Sequence, residues 1–244
     1  MYKVDKIRVA SFLFILLIFT SVFIKINDTT EATVLTKTDE KNEIVKINQG
    51  DDIQEKINGA KDGSYIVIAS GEYIIDEPIV IQNKNDFTIS GDKDVWILGS
   101  KVDFQIFMIK DSGNVVLKNI KACHKIDQET GNTKITPKRK GSVVDIENCK
   151  KVTLENCELE GCGVYGVYAV DTDRLNLFGC YLHDNSWKAL GLFNKGNVTN
   201  AIIKDCTIVN NADFLEKEGT VNIQFEGTNV IRNNTFEDYK NKTK

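Results

Sequence analysis

Three segments, "VTLENCELEGC" (152–162), "LNLFGCYLHDN" (175–185) and "AIIKDCTIVNN" (201–211), share one frame: an alternating apolar run, a small or polar residue, a cysteine and a second short apolar run. Such repetition constrains a fold more than any single motif, because each copy must bury its apolar face against the next. Aligned on the residue before the cysteine and extended outward, the column reads Gly91, Asn119, Asn156, Gly179, Asp205 and Asn233, at steps of 28, 37, 23, 26 and 28 residues. Gly, Asn and Asp enter a left-handed backbone conformation most readily, so the column marks a tight turn. Two positions upstream stand Ile89, Leu117, Leu154, Leu177, Ile203 and Ile231. Three positions downstream stand Ala122, Leu159, Leu182, Ile208 and Phe236, with Asp94 the exception. Apolar residues on both sides of a bend, in runs too short for a helix, predict two inward-facing strand positions joined by that bend.

A further strand precedes each late bend: "SVVDIE" (142–147), "GVYAVD" (166–171), "KALGLF" (188–193) and "TVNIQF" (220–225). Three strands and three bends per repeat predict an all-β chain wound as a right-handed parallel β-helix of about six or seven coils. The 37-residue step is an ordinary coil carrying an inserted loop at 123–142. Ahead of the coils, Ile53, Ile57 and Ala60 recur at helical spacing behind Asp51 and Asp52. This predicts a short N-terminal capping helix over the first rung, where bare strand edges would otherwise pair with other chains. No obvious amphipathic cap follows the last copy, which suggests either a tail folded over the C-terminal rung or self-association through it.

The segment "IQEKINGAKDGSYIVIASGEYIIDEPIVIQNKNDFTISGD" (53–92) resembles the beginning of proteins in the pectate-lyase-like superfamily, and the resemblance extends over roughly 44–239. It implies the β-helix fold and, in that family, polysaccharide lying along the outside of the strand that precedes the first bend. That face would carry Asp145, Tyr168, Gly191 and Asn222, with Glu147, Val170, Phe193 and Gln224 two residues on. Candidate catalytic residues are Asp145, Asp171, Asp173, Lys188 and His183. Candidate substrate-binding residues are Glu147, Tyr165, Tyr168, Arg174, Trp187 and, from the insertion, Lys138 and Arg139.

Two chemistries fit these residue types. A carboxylate pair can serve as acid and base on a glycosidic bond. Alternatively, carboxylates can hold Ca2+ against an acidic sugar while Lys or Arg removes a proton, as the resemblance to the lyase branch implies. The aromatics Tyr165, Tyr168, Trp187 and Phe193 can stack on sugar rings or pack against neighbouring bends. The chain departs from the polygalacturonase-like hydrolases of the superfamily, which carry Asn-Thr-Asp, Asp-Asp, His-Gly and Arg-Ile-Lys motifs. "VDTDRL" matches the first only superficially, no Asp-Asp pair falls within the coils, His183 precedes Asp184, and "IIKD" lacks the arginine. His183 therefore also reads as a bend residue. These departures favour a module that binds polysaccharide or envelope partners, with a polysaccharide lyase or glycoside hydrolase as the alternative.

The net charge of −4 and pI near 5.4 argue against a nucleic-acid partner, which would call for a basic domain. An apolar run at 10–24 behind Lys3, Lys6 and Arg8 has the form of a signal-peptide core. It falls short of the ~20 residues of a comfortable membrane span. Residues 1–32 are thus read as a signal peptide or uncleaved anchor, 33–43 as a polar linker and 44–244 as the β-helix of a secreted or cell-envelope protein. Cys157, Cys180 and Cys206 share one column, which predicts a buried thiol ladder, whose parallel side chains suit disulfide geometry poorly. With no CxxC pair and two histidines, no metal site is expected, and no cofactor beyond the Ca2+ of the lyase reading.

Overall fold

Ile89, Leu117, Leu154, Leu177 and Ile203 lie one above another in a single inward file, none more than 1% exposed. The computed structural model describes residues 43–101, 103–124, 141–160, 164–193, 199–219 and 221–234. The apolar N-terminal run, most of the insertion with Lys138 and Arg139, and Cys162 lie outside the described residues.

Among the described residues every strand pairing is parallel, and each strand inside a sheet bonds to its counterparts one coil earlier and one coil later, as a single winding chain requires. A leading sheet of six strands comprises Ile79–Gln82, Phe107–Lys110, Val144–Glu147, Tyr165–Val170, Lys188–Phe193 and Asp213–Glu218. The second sheet has eight strands, among them Asn85–Gly91, Lys150–Glu155, Asp173–Phe178, Ala201–Lys204 and Ile223–Glu226. The third has seven, among them Val95–Gly99, Lys121–His124, Glu158–Glu160, Tyr181–His183, Thr207–Val209 and Val230–Arg232. The expected right-handed parallel β-helix is the fold, with about seven coils. Helix α1 (Ile53–Gly59) covers the first rung: Asp52 caps it by accepting from the Glu55 N–H at 2.9 Å, and Ile53 and Ile57 are buried. Its Gln54 amide donates to the Val80 carbonyl and accepts from the Val80 N–H, at 2.9 and 2.7 Å, which satisfies part of the open edge of the leading sheet.

Left-handed residues mark the corners. The corner after the leading sheet has Asn83, Asp111, Asn148 and Asp171, with φ between 49° and 55°. The next has Asn119, Asn156, Gly179, Asp205 and Gly227, with φ from 50° to 63°. The third, in the late coils, has Asp184, Asn210 and Asn233 at 52° to 59°. The sequence alignment therefore slips by one corner in its last copy. Asn233 belongs to the third corner, and Gly227 holds the place expected for it. Ile231 pairs with Ile208 in the third sheet, while Phe225 pairs with Ile203. Asn234 accordingly does not continue the cysteine column. That place goes to Asn229, whose Oδ1 accepts from the Cys206 N–H at 2.9 Å.

Two other departures have steric causes. Gly91 is not left-handed; a Cβ there would lie 2.1 Å from the Asn119 carbonyl, so glycine is required by close backbone approach. Asp94 sits in a longer corner, and Ile97 fills the inward slot below Ala122.

The thiols of Cys157, Cys180 and Cys206 are buried and free, donating to the carbonyls of Leu117, Leu154 and Leu177 at 3.3–3.4 Å. Hydrogen bonding along the ladder raises the pKa of Cys180 and Cys206, so these thiols stay neutral. Cys149 is buried at the first corner, its pKa pushed up to about 11 chiefly by burial. Asn185, Asn211 and Asn234 form a second ladder at the third corner: each Nδ2 donates to the next Oδ1 at 2.8 Å.

Candidate functional site

On the leading sheet, Asp145 lies in register between Met108 and Tyr168, and Tyr168 in turn beside Gly191 and then Glu216. The outer position after Gly191 is Glu216, from Asp213–Glu218. Asn222 and Gln224, expected there, are not on this face: Ile223–Glu226 joins the second sheet, where Gln224 pairs with Ile202.

This face collects aromatic rings. Tyr165 and Tyr168 have centroids 5.4 Å apart, Tyr168 and Phe193 5.2 Å, and Tyr165 and Phe193 6.2 Å in an edge-on arrangement. Gly191 makes the cluster possible, since a Cβ there would stand 2.6 Å from Cε1 of Tyr165. Glu216 fixes the next rung by accepting from the Tyr165 hydroxyl and the Trp187 indole N–H, each at 2.9 Å. Lys188 reaches Asp213 at 2.5 Å and lies 5.2 Å above the Trp187 ring. Burial and the Glu216 carboxylate push the Tyr165 phenol upward, so it remains a donor.

Asp145 is the unusual carboxyl of this surface. Burial raises its pKa, hydrogen bonds from Ser142 and Gln105 offset this only in part, and Oδ1 is buried with no hydrogen-bond partner. Glu147, two residues on, is more exposed and pairs with Lys110 at 3.2 Å. Burial raises the Tyr168 phenol as well, and the charges of Asp145, Glu147, Asp171 and Glu218 push the same way, which places Tyr168 amid carboxylates. A carboxylate with a raised folded pKa loses stability as pH rises from the unfolded value through the folded one. Asp145→Asn should therefore melt a few degrees above the parent at pH 7, with the gap closing below the carboxylate range; thermal scans at several pH values check this. A variant that melts lower at pH 7 would contradict the burden assigned to this carboxyl.

The structure thus brings together Asp145, Glu147, Tyr165, Tyr168, Trp187 and Lys188, and separates the other candidates. Asp171 stands at the adjoining corner. Asp173 and Arg174 lie past that corner, at the start of the second-sheet strand Asp173–Phe178, so their expected place in the leading groove is corrected. Asp173 accepts from Thr199 at 2.6 Å and from Arg174 Nε at 3.0 Å, and the Thr199 bond is the main cause of its lowered pKa. His183 is also corrected: it ends the third-sheet strand Tyr181–His183, on another side of the coil, because strand and corner intervene between it and the leading sheet. Its Nδ1 faces Asp184 at 2.8 Å and its Nε2 faces Glu158 at 3.3 Å. Burial lowers its pKa, but the Asp184 bond and the Glu160 charge outweigh that and the net shift is upward. Sequence reasoning missed Glu216 and Asp213 because "DFLEKE" alternates poorly, and it missed Glu158 and Glu160. The last two had a visible signal, since they flank inward Leu159 and must point outward.

Winding, corner ladders and an outward polar face define a parallel β-helix protein. More particularly, the chain belongs to the right-handed β-helix family, whose "Right handed beta helix region" model matches residues 40–243. No curated protein matches the sequence. Among solved structures it is similar to ORF18 of Geobacillus virus E2, at 14% identity and TM-score 0.57, over 94% of this chain and 45% of that one. It is also similar to a putative glycosyl hydrolase from Parabacteroides merdae, at 14% identity and TM-score 0.55, over 70% of this chain and 84% of that one. A third is the catalytic domain of a GH87 α-1,3-glucanase in complex with tetrasaccharides, at 13% identity and TM-score 0.52, over 70% of this chain and 30% of that one. The chain spans less than half the length of the viral protein and of the glucanase.

Proposed function

We propose that this chain is an exported β-helix module that binds polysaccharide, at the cell envelope or outside the cell, along the outer face of its leading sheet. The observation that carries this reading is the cluster of Tyr165, Tyr168 and Phe193 set over Gly191, with Trp187 beside it and Asp145, Glu147 and Glu216 around it. Aromatic faces offer an apolar platform for the C–H face of a sugar ring, and carboxylates accept from its hydroxyls. Fixed aromatic and carboxylate positions on a rigid sheet lose little side-chain freedom on binding. The carbohydrate-active structural neighbours are consistent with this reading without assigning a substrate. Residues 1–32 supply the export signal or anchor in this reading.

A second reading, hydrolysis or elimination on an acidic polysaccharide, has one observation of its own: Asp145 combines a raised pKa with an unpartnered buried oxygen, as a proton-donating carboxyl would. Electrophoresis through gels containing neutral or acidic polysaccharides, run with and without Ca2+, tests both. Retardation of the parent, reduced at least about tenfold in affinity for Tyr168→Ala, is the expected result for one lost stacking aromatic at a binding hot spot. Parallel assays for new reducing ends and for the ultraviolet absorbance of unsaturated ends detect cleavage. Product that disappears in Asp145→Asn would replace the binding reading by the enzymatic one.

A further inference from the structure

The third sheet carries a second cluster of chemistry-bearing side chains, distinct from the leading-sheet face and independent of the reading above. Glu158 and Glu160 project from one strand, and His183 stands beside Glu160 on the next coil. A carboxylate oxygen from each Glu and a ring nitrogen of His183 all lie within 4.8 Å of one another. Among the described residues, no other three His, Cys, Asp or Glu side chains converge in this way.

The imidazole is held firmly. It is 8% exposed, stacked on Tyr181 at 3.9 Å and 22°, with Nδ1 set 2.8 Å from Asp184 Oδ2. Both ring nitrogens face carboxylate oxygens, since Nε2 is 3.3 Å from Glu158 Oε1. A neutral imidazole has one N–H to donate, so with Nδ1–H given to Asp184 the Nε2 lone pair would meet a carboxylate. Either a second ring proton or a metal ion stands between them, and the two are told apart by titration with metal. Three carboxylates surround this one ring, and Lys121 reaches Glu158 only at 3.9 Å while also engaging Asp94 at 3.4 Å. Metal-bound histidines commonly donate their other N–H to a carboxylate, which fixes the tautomer and raises ligand basicity, and Asp184 is placed for that part.

We infer that Glu158, Glu160 and His183 form a binding site for a divalent transition-metal ion of the zinc class, with Asp184 positioning His183. Metal–ligand bonds of ~2.0–2.1 Å in a tetrahedral set separate ligand atoms by about 3.3 Å, the spacing already present between His183 Nε2 and Glu158 Oε1. Glu160 closes the set by a rotamer shift. One imidazole with two carboxylates suits zinc, cobalt or manganese better than Ca2+, which seeks about six to eight oxygens.

Titration of the purified, metal-stripped protein with Zn2+ by calorimetry, with thermal scans alongside, tests the site. One Zn2+ per chain, a higher melting temperature with Zn2+ and none with equal Ca2+ are expected. His183→Gln and Glu160→Gln should abolish that binding, and Asp184→Asn should weaken it about 10–100-fold, as loss of a ligand-orienting partner does. The six cysteines can also take zinc, so the ligand variants, checked for native circular dichroism, decide the matter. Co2+ as probe should give the visible bands of a tetrahedral nitrogen–oxygen site. No binding by the parent, or binding by His183→Gln and Asp184→Asn as tight as the parent's, would show a proton-only imidazole and overturn the assignment.

Discussion

Replacing Leu177 with Asp abolishes folding. Leu177 is fully buried in the second-sheet file, in register with Leu154 below and Ile203 above. Loss of a buried leucine alone costs about 2–5 kcal/mol, and an unpaired buried charge adds several more. The sum approaches the roughly 5–15 kcal/mol by which ordinary domains are stable. A coil that cannot stack also deprives both neighbours of their interfaces, so the loss spreads along the solenoid. Far-ultraviolet circular dichroism and limited proteolysis should report an unfolded, rapidly cleaved chain at 25 °C, about the temperature to which these energies refer. A native spectrum with unchanged protease resistance would mean that Leu177 is not in the core.

The second large effect is expected at Asn211, which is fully buried. Its Oδ1 accepts from the Asn185 N–H at 3.1 Å and Nδ2 at 2.8 Å, and its own Nδ2 reaches Asn234 at 2.8 Å and the Leu182 carbonyl at 3.1 Å. Asn211→Ala removes these bonds at once and leaves the Asn185 N–H buried without its acceptor. At about 1–3 kcal/mol per stranded buried group, a total of about 3–5 kcal/mol follows. That corresponds to a fall of about 10 °C in melting temperature for a domain of this size. Asn222→Ala, at an exposed position, is the control and should change stability by less than about 0.5 kcal/mol. Equal melting of the two variants would remove the ladder from the account of stability.

The contrast between these two residues shows what was legible in the sequence. Leu177 was readable because inward strand positions recur at one offset from a turn residue, a local pattern. Asn211 was in plain view beside Asn210, yet its ladder was not. Two successive corners of a coil use the same device, a left-handed Gly, Asn or Asp followed by a small residue that bonds back. Asn233 and Asn234 therefore fitted either corner, and only strand pairing distinguishes them. The same slip put Asn222 and Gln224 on the leading face, since "TVNIQF" alternates well whereas the true strand, Asp213–Glu218, is half charged.

The candidate site was legible in proportion to how local it was. Asp145, Glu147, Tyr165, Tyr168 and Lys188 lie within two or three residues of a readable strand pattern, and they share a face. Asp173, Arg174 and His183 were grouped with them by sequence proximity, but each is one or two corners away around the coil. Glu216 supports Tyr165 and Trp187 across one or two coils, a contact that no local pattern announces. A raised carboxyl pKa at Asp145 depends on burial by neighbouring coils and is invisible in a sequence.

The two tryptophans offer the most direct test of where a glycan binds. Trp187 lies beside the leading face, bonded to Glu216, whereas Trp96 lies on the third sheet under Lys121. Fluorescence titration with a polysaccharide that retards the protein in gels should give a saturable change in emission. The change should vanish in Trp187→Phe and persist in Trp96→Phe. A change that follows Trp96, or binding with no response from Trp187 and no loss in Tyr168→Ala, would contradict the assignment of the leading sheet as the glycan-binding face.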